Sequence, residues 1–278
     1  MKVIAALVVS LALALASAGP VLAIDNGVPD GGAHPNVGLL AFDIDGEGPA
    51  PPFVLCTGSV ISDDAFLTAA HCIAAIPDAD WVVTLAGGSP EQPMATQGFF
   101  PDDFPFAVIG PVYRSIGVVV HPDFGRGLSR INDLAVVLFP EGTFAHVTPV
   151  ELPTAGLLDE LAARGGLVGR TVTLVGYGTD AEVGPPRYFF HGYRQSATAP
   201  VQALTPRWLR IQHTPAVTDQ GSLCYGDSGS PQFLGGSESN LVVSLLSHGL
   251  TTCRGAARAQ RLDTPSAREF LSQFIGLP

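Results

Sequence analysis

The chain has 278 residues, enough to bury a sizeable core in one large domain or two smaller ones. Charged residues make up only 14% of it, and glycine and proline are plentiful, which suits a compact, turn-rich protein and excludes a disordered one. A formal charge of −11 argues against nucleic acid or an anionic lipid surface as partner.

Met1 to Ala23 reads as a secretory signal. Lys2 supplies the positive start, Val3 to Ala16 is apolar and uncharged, and small residues offer two cleavage sites, Ala16-Ser17-Ala18 and Val21-Leu22-Ala23. A cut after Ala23 would free Ile24 directly. A cut after Ala18 would leave residues 19–23 as a short propeptide. The apolar run is shorter than the roughly 20 residues that a membrane span needs. A secreted protein with no membrane attachment after signal removal is therefore expected, in a compartment where cysteines oxidise. Cys56, Cys72, Cys224 and Cys253 allow three pairings. Neither C-x-x-C nor H-E-x-x-H occurs, so no metal site is expected.

Beyond Ile24, short apolar or β-branched runs are split by turn residues. They are Val37 to Phe42, Val54 to Ile61, Ala65 to Ala69, Trp81 to Ala86, Ser115 to Val120 and Leu134 to Leu138. Gly46 to Pro52 and Gly87 to Pro93 punctuate them. Ser89 to Pro111 is polar, then aromatic and proline-rich, and reads as an irregular loop. His121-Pro122 starts a turn and reads as structural. A boundary falls near Pro149 to Arg170, where Leu157 to Arg164 fits one or two helical turns. Thr171 to Tyr177, Leu209 to His213, Pro231 to Leu234 and Leu241 to Leu246 supply further strands. Thr264-Pro265 has the chemistry of a helix start, a capping hydroxyl followed by proline. Phe270, Phe274 and Ile275 then share a face, giving a C-terminal helix of about ten residues. Many short strands so punctuated point to an all-β sandwich or barrel.

Three stretches carry chemistry. In Gly226-Asp227-Ser228-Gly229-Ser230 a serine stands between glycines, where the backbone can turn tightly and bring N–H groups near a reacting carbonyl. In Thr68-Ala69-Ala70-His71-Cys72 small residues press on a histidine, which can act as general base near neutral pH. Asn132-Asp133-Leu134 puts a carboxylate at the start of an apolar run, a place from which it could hold an imidazole in one tautomer. Asp123 and Asp103 are the rival carboxylates, and neither opens a strand.

In the order His, Asp, Ser, these motifs resemble the trypsin/chymotrypsin-like serine peptidase family, from about Ile24 to the C-terminus. The resemblance implies two antiparallel six-stranded Greek-key β-barrels with a C-terminal helix. Residues 24–150 would carry His71 and Asp133, and residues 151–278 would carry Ser228. It implies a triad of Ser228 as nucleophile, His71 as base and Asp133 as its orienter. Backbone N–H groups of Gly226 and Ser228 would form the oxyanion hole. The implied disulfides are Cys56–Cys72 and Cys224–Cys253. Ile24-Asp25-Asn26-Gly27 resembles the family's mature N-terminus, so a freed Ile24 amino group would pair with Asp227. Gly176-Tyr177-Gly178 resembles the motif that begins the second barrel.

Specificity follows from the same likeness. The pocket base falls on Ser222, which lacks the charge to hold a basic side chain, so apolar side chains are expected. Ser247 would bind the substrate backbone, Gly249 would leave one pocket wall open, and Ala257 is a weaker match for the other. Leu223 would shorten the pocket. The chain departs from the family at Ser230, where a glycine is usual, and at His248, where an aromatic usually floors the neighbouring subsite. No cofactor is implied. The expected partners are a protein or peptide substrate and a protein inhibitor, with the enzyme a monomer. The competing reading is a catalytically inactive homologue that acts as a secreted binding protein. An α/β-hydrolase would need Gly-x-Ser-x-Gly and the order Ser, Asp, His, neither of which is present.

Overall fold

Seventeen strands and three short helices make up the described residues of this computed structural model, which are 24, 26–43, 53–104, 106–125, 131–181, 187–214 and 220–278. The expected signal, residues 1–23, lies outside them.

The first half forms one curled antiparallel sheet. Its strands are β2 (Val37–Asp43), β3 (Phe53–Val60), β4 (Ala65–Thr68), β5 (Asp80–Thr84), β7 (Tyr113–Arg114), β8 (Gly117–Val120) and β9 (Ala135–Leu138), in spatial order β7-β5-β2-β3-β4-β9-β8. Its central strands read as near-continuous apolar runs because both their faces are covered. Leu39, Leu40, Val82, Val83, Val136 and Val137 are all fully buried. Between β4 and β5 lies helix α1 (Ala70–Ala75).

The second half closes on itself. β10 (Thr171–Gly176), β13 (Gln195–Leu204), β14 (Trp208–His213), β15 (Pro231–Leu234), β16 (Val242–His248) and β17 (Gly255–Arg261) pair in the order β13-β10-β15-β16-β17-β14, and β13 also pairs with β14, completing a six-stranded barrel. β1 (Val28–Pro29) adds to β13. Helix α2 (Leu157–Ala163) lies between the halves in sequence, and α3 (Pro265–Leu271) closes the chain. The expected all-β architecture with a C-terminal helix is therefore present. One barrel is closed, while the first half curls without closing and uses seven strands rather than six.

Four local expectations change. The stretch read as an irregular loop contains β6 (Gly98–Phe100), which pairs with β12 (Tyr188–Phe190); β12 also pairs with β11 (Thr179–Asp180). This small sheet ties a loop of the first half to a loop of the second. Strand β13 escaped notice because Pro200 interrupts it, and its register slips between Val201 and Ala203. Strand β17 is GAARAQR, which has little intrinsic β preference. It forms because β14 and β16 flank it, supplying backbone partners on both edges. Helix α3 has seven residues, shorter than expected. Thr264 caps it as expected, accepting from the Ala267 N–H, and beyond Leu271 the chain continues in turns that still place Phe274 and Ile275 against the core.

His121 is structural, as its turn suggested. The Ser266 hydroxyl lies 3.1 Å from its Nε2, and its ring packs on Phe270, joining the first sheet to α3.

A buried ion pair locks the N-terminal segment to both halves. Arg194 Nε donates to Asp30 Oδ2 at 2.8 Å, and Arg194 Nη1 donates to the carbonyls of Val37 and Leu85 and to the Tyr177 hydroxyl. Both side chains of the pair have almost no exposure. Burial alone would raise the Asp30 carboxyl, but the His34 hydrogen bond and the Arg194 charge outweigh it and bring it down to about 2. Removing the cation would leave a buried carboxylate with only the His34 contacts, at a cost of about 3–5 kcal/mol. Arg194→Met is therefore expected to lower unfolding free energy by that amount in urea denaturation at pH 7, and a loss below about 1 kcal/mol would contradict this assignment.

Candidate active site

His71, Asp133 and Ser228 each sit where a regular element begins or ends. His71 is the second residue of α1, just after β4. Asp133 stands two residues before β9, after Asn132, whose φ is +55°. Ser228 lies in the turn that precedes β15, between Gly226 at φ +93° and Gly229 at φ +82°. At Gly229 a Cβ would collide with the Thr57 carbonyl, the Thr68 hydroxyl and the Ala69 nitrogen. The glycine thus lets the serine turn press against β3 and β4.

Two threonines of the first sheet fix that docking. Thr57 N–H donates to the Ser228 carbonyl at 2.8 Å, and Thr57 Oγ1 donates to the Gly226 carbonyl at 2.9 Å. Thr68 Oγ1 donates to the Thr57 carbonyl at 2.8 Å. Sequence reasoning missed both residues, since a buried strand threonine gives no pattern that marks its partner.

Asp133 has no exposed surface. Its Oδ1 accepts the His71 backbone N–H at 2.8 Å, and its Oδ2 lies 2.8 Å from His71 Nδ1. Ser247 Oγ donates to the same Oδ2 at 2.5 Å. A carboxylate only accepts, so the His71 proton sits on Nδ1, and Nε2 keeps its lone pair. The rival carboxylates lie elsewhere: Asp103 accepts the Phe99 N–H, and the Asp123 N–H donates to His121.

His71 and Ser228 line one cavity of about 450 Å³, together with Gly226, Ser247, His248 and Gly249. No hydrogen bond joins the Ser228 hydroxyl to His71 among the described residues, and such bonds commonly tighten only when substrate arrives. Neither the Gly226 nor the Ser228 N–H is given to a protein acceptor among the described residues.

The remaining walls are apolar. Leu223, Leu246 and Leu250 line the cavity, as do Phe100, Phe104, Phe106, Phe190 and Tyr225. Phe100 stacks on Tyr225 at 4.6 Å and Phe106 on Phe190 at 4.3 Å. This aromatic wall comes largely from the stretch read as a loop. Its composition was visible in the sequence, but nothing there said that it would fold back over the cleft. Ser222 is fully buried and does not line the cavity; its hydroxyl donates to the Cys253 carbonyl at 2.9 Å. Ala257 is also buried, 4.0 Å from where a side chain on Gly249 would begin. Ser230 is buried, and its hydroxyl has no hydrogen-bond partner among the described residues.

Disulfides join Cys56 to Cys72 and Cys224 to Cys253, with Cα separations of 6.3 and 4.9 Å. His71 also clusters with Cys56 and Cys72, but that sulfur pair is committed to a disulfide and offers no thiolate to a metal.

Asp227 is the second buried carboxylate of this region. It accepts the Gly178 N–H on Oδ1 at 2.8 Å and the Cys224 N–H on Oδ2 at 2.9 Å. Side chains at positions 176 and 178 would run into this carboxylate, which explains the glycines on either side of Tyr177. Ile24 is fully buried, and its nitrogen, an amide within the uncut chain, donates to Gln195 Oε1 at 2.8 Å. No cation pairs with Asp227 among the described residues.

A family model described as Trypsin matches residues 33–266. The chain belongs to the trypsin family. Melanization protease 1 of Drosophila melanogaster is 28% identical over 225 residues, covering 71% of this chain and 52% of that protein. The chain thus spans about half the length of this relative. An HL collagenase structure superposes with a TM-score of 0.59 at 20% identity, covering 86% of this chain and 93% of its own. Human heparin binding protein superposes with a TM-score of 0.60 at 14% identity, covering 92% and 99%. At such identities these two structures establish the trypsin-like fold. Among the described residues, no helix is long and apolar enough to cross a membrane.

The cation-free burial of Asp227 has a measurable consequence. Burial raises its carboxyl from 3.8 to about 7, and the two backbone N–H groups offset this only in part. The folded uncut chain therefore holds a proton that the unfolded chain releases, and stability falls as pH rises from about 4 to about 7. In uncut protein carrying Ser228→Ala, the Asp227→Asn change is expected to flatten this part of the pH–stability curve. Identical slopes with and without Asp227 would contradict the assignment.

Proposed function

We propose that this chain is a secreted serine endopeptidase that cleaves through an acyl-enzyme. The observation that carries the reading is the orientation of His71. Its Nδ1 is committed to a fully buried carboxylate, which leaves Nε2 as the basic nitrogen of a residue that shares a cavity with Ser228.

In the proposed cycle Ser228 Oγ attacks the substrate carbonyl while His71 Nε2 takes its proton. The Gly226 and Ser228 N–H groups receive the oxyanion, each donor contributing about 3–4 kcal/mol. His71 then protonates the leaving amine, and water repeats the attack on the ester. Asp133 keeps the imidazole in the required tautomer and stabilises the imidazolium.

Activity would begin with a cut before Ile24. Its new ammonium would leave Gln195 and pair with Asp227, turning a costly buried carboxylate into half of an ion pair and ordering the Gly226–Ser228 turn. Export would supply the signal-peptide cut, and oxidation outside the cell the two disulfides.

The substrate class follows from the walls. Leucines and phenylalanines line the cavity, and among the described residues no aspartate or glutamate does so. A lysine or arginine side chain would be desolvated there without a counter-charge. Apolar side chains next to the scissile bond are therefore preferred.

An organophosphonate probe is expected to modify Ser228 of the processed protein, and His71→Ala to abolish the modification. A peptide library is expected to be cut beside apolar residues. No labelling of processed wild type would overturn the enzyme reading, and faster cleavage beside arginine would overturn the substrate class alone.

A further inference from the structure

Beyond the triad, a chain of hydrogen bonds reaches Asp133 from the outer rim of the barrel. His248 is the last residue of β16, and Arg258 is its cross-strand partner on β17. Arg258 Nη1 lies 3.1 Å from His248 Nε2. His248 Nδ1 lies 3.0 Å from Ser247 Oγ, and Ser247 Oγ lies 2.5 Å from Asp133 Oδ2. The His248 ring meets the Trp208 ring edge-on, with centroids 5.3 Å apart.

Donor and acceptor chemistry assigns the protons at the three contacts named here. Asp133 only accepts, so the Ser247 proton points at it, and Ser247 Oγ is left to accept from His248. His248 Nδ1 must then carry a hydrogen. A guanidinium only donates, so His248 Nε2 must lack one. The imidazole is thus the neutral Nδ1–H form, and all three bonds run inward, from Arg258 to His248 to Ser247 to Asp133.

Removing the outer donor would release this constraint. His248 could then move its hydrogen to Nε2 and present a lone pair to Ser247. That lone pair would compete with Asp133 for the serine proton. Asp133 would lose one of its three donors, and with it part of the fixed orientation that holds His71. Side-chain hydrogen-bond chains of this kind polarise along their length, so an end group can be felt at the far carboxylate.

We propose that Arg258 and His248 are positioning residues for the His71–Asp133 pair, with Arg258 selecting the His248 tautomer and His248 committing the Ser247 proton to Asp133. This rests on the reading of His71, Asp133 and Ser228 as a triad, and it extends His248 beyond a subsite floor. Neither side chain touches the reacting atoms.

The test uses processed enzyme and a short ester substrate with a single apolar side chain, too short to reach the subsite that His248 would floor. Arg258 is exposed, so Arg258→Met preserves the core while removing the donor. His248→Phe keeps a ring against Trp208 and removes both nitrogens. Each is expected to lower kcat about fivefold with KM changed less than twofold, the size expected for weakening one charge-linked hydrogen bond. The double variant should match His248→Phe alone, because Arg258 acts only through His248. Arg258→Lys, which keeps a donor, should restore most of kcat. The far-downfield NMR signal of the His71 Nδ1 proton should shift in Arg258→Met and return in Arg258→Lys.

A rise in KM with kcat unchanged would overturn the proposal in favour of a simple subsite role. So would additive losses in the double variant, or an NMR signal that does not move. Failure of the probe to label wild-type Ser228 would instead sink the triad reading, and the NMR arm would still report on the hydrogen-bond chain.

Discussion

A carboxylate with no exposed surface costs free energy unless donors surround it, and Asp133 collects them from separate parts of the chain. The start of α1 supplies two, from the His71 backbone and ring, and the end of β16 supplies the Ser247 hydroxyl. Its own backbone N–H reaches Gln260 on β17 at 3.3 Å. One charged group thus ties the curled first sheet to the closed barrel, and the same contacts that satisfy its burial fix the imidazole. Positioning and stability are here one requirement, met only when both halves are folded together.

The serine turn obeys a similar rule. Thr57 holds it from the first sheet, itself braced by Thr68, and the Cys224–Cys253 bridge holds its upstream end. Inside the turn Asp227 is satisfied by two backbone N–H groups but lacks a counter-ion among the described residues. Two buried carboxylates therefore flank the cleft in different surroundings. Asp133 is held by donors that orient the proposed base, while Asp227 accepts from two backbone groups and burial raises its carboxyl to about 7, so that it is about half protonated near pH 7. The contrast suits the proposed precursor, in which the imidazole is already held and Asp227 awaits a cation.

Much of this was legible in the sequence because it is local. The glycines around Ser228, the small residues before His71 and the acidic start of β9 each announce a tight turn or a strand end from a few neighbouring letters. Apolar runs such as Val37 to Phe42 and Leu134 to Leu138 mark buried strands by themselves. What stayed hidden depends on partners far away. GAARAQR becomes a strand only because two neighbours supply its backbone bonds. Phe100, Phe104 and Phe106 line the cleft, on a stretch that β6 anchors by pairing with β12. The family likeness points to Ser222 as the pocket base, but the bond from its hydroxyl to the Cys253 carbonyl, 31 residues away in sequence, is a long-range contact that no local pattern marks.

The central claim is that buried Asp133 fixes the tautomer in which His71 can accept the Ser228 proton. The direct measurement is steady-state kinetics of processed Asp133→Asn beside its thermal unfolding. An asparagine fits the same space but can donate to Nδ1, which would move the imidazole hydrogen to Nε2 and block the base. The account predicts an intact fold with kcat/KM lower by about 10⁴, the loss known for this change in a trypsin-type triad. A folded Asp133→Asn enzyme that keeps activity within tenfold of wild type would contradict it.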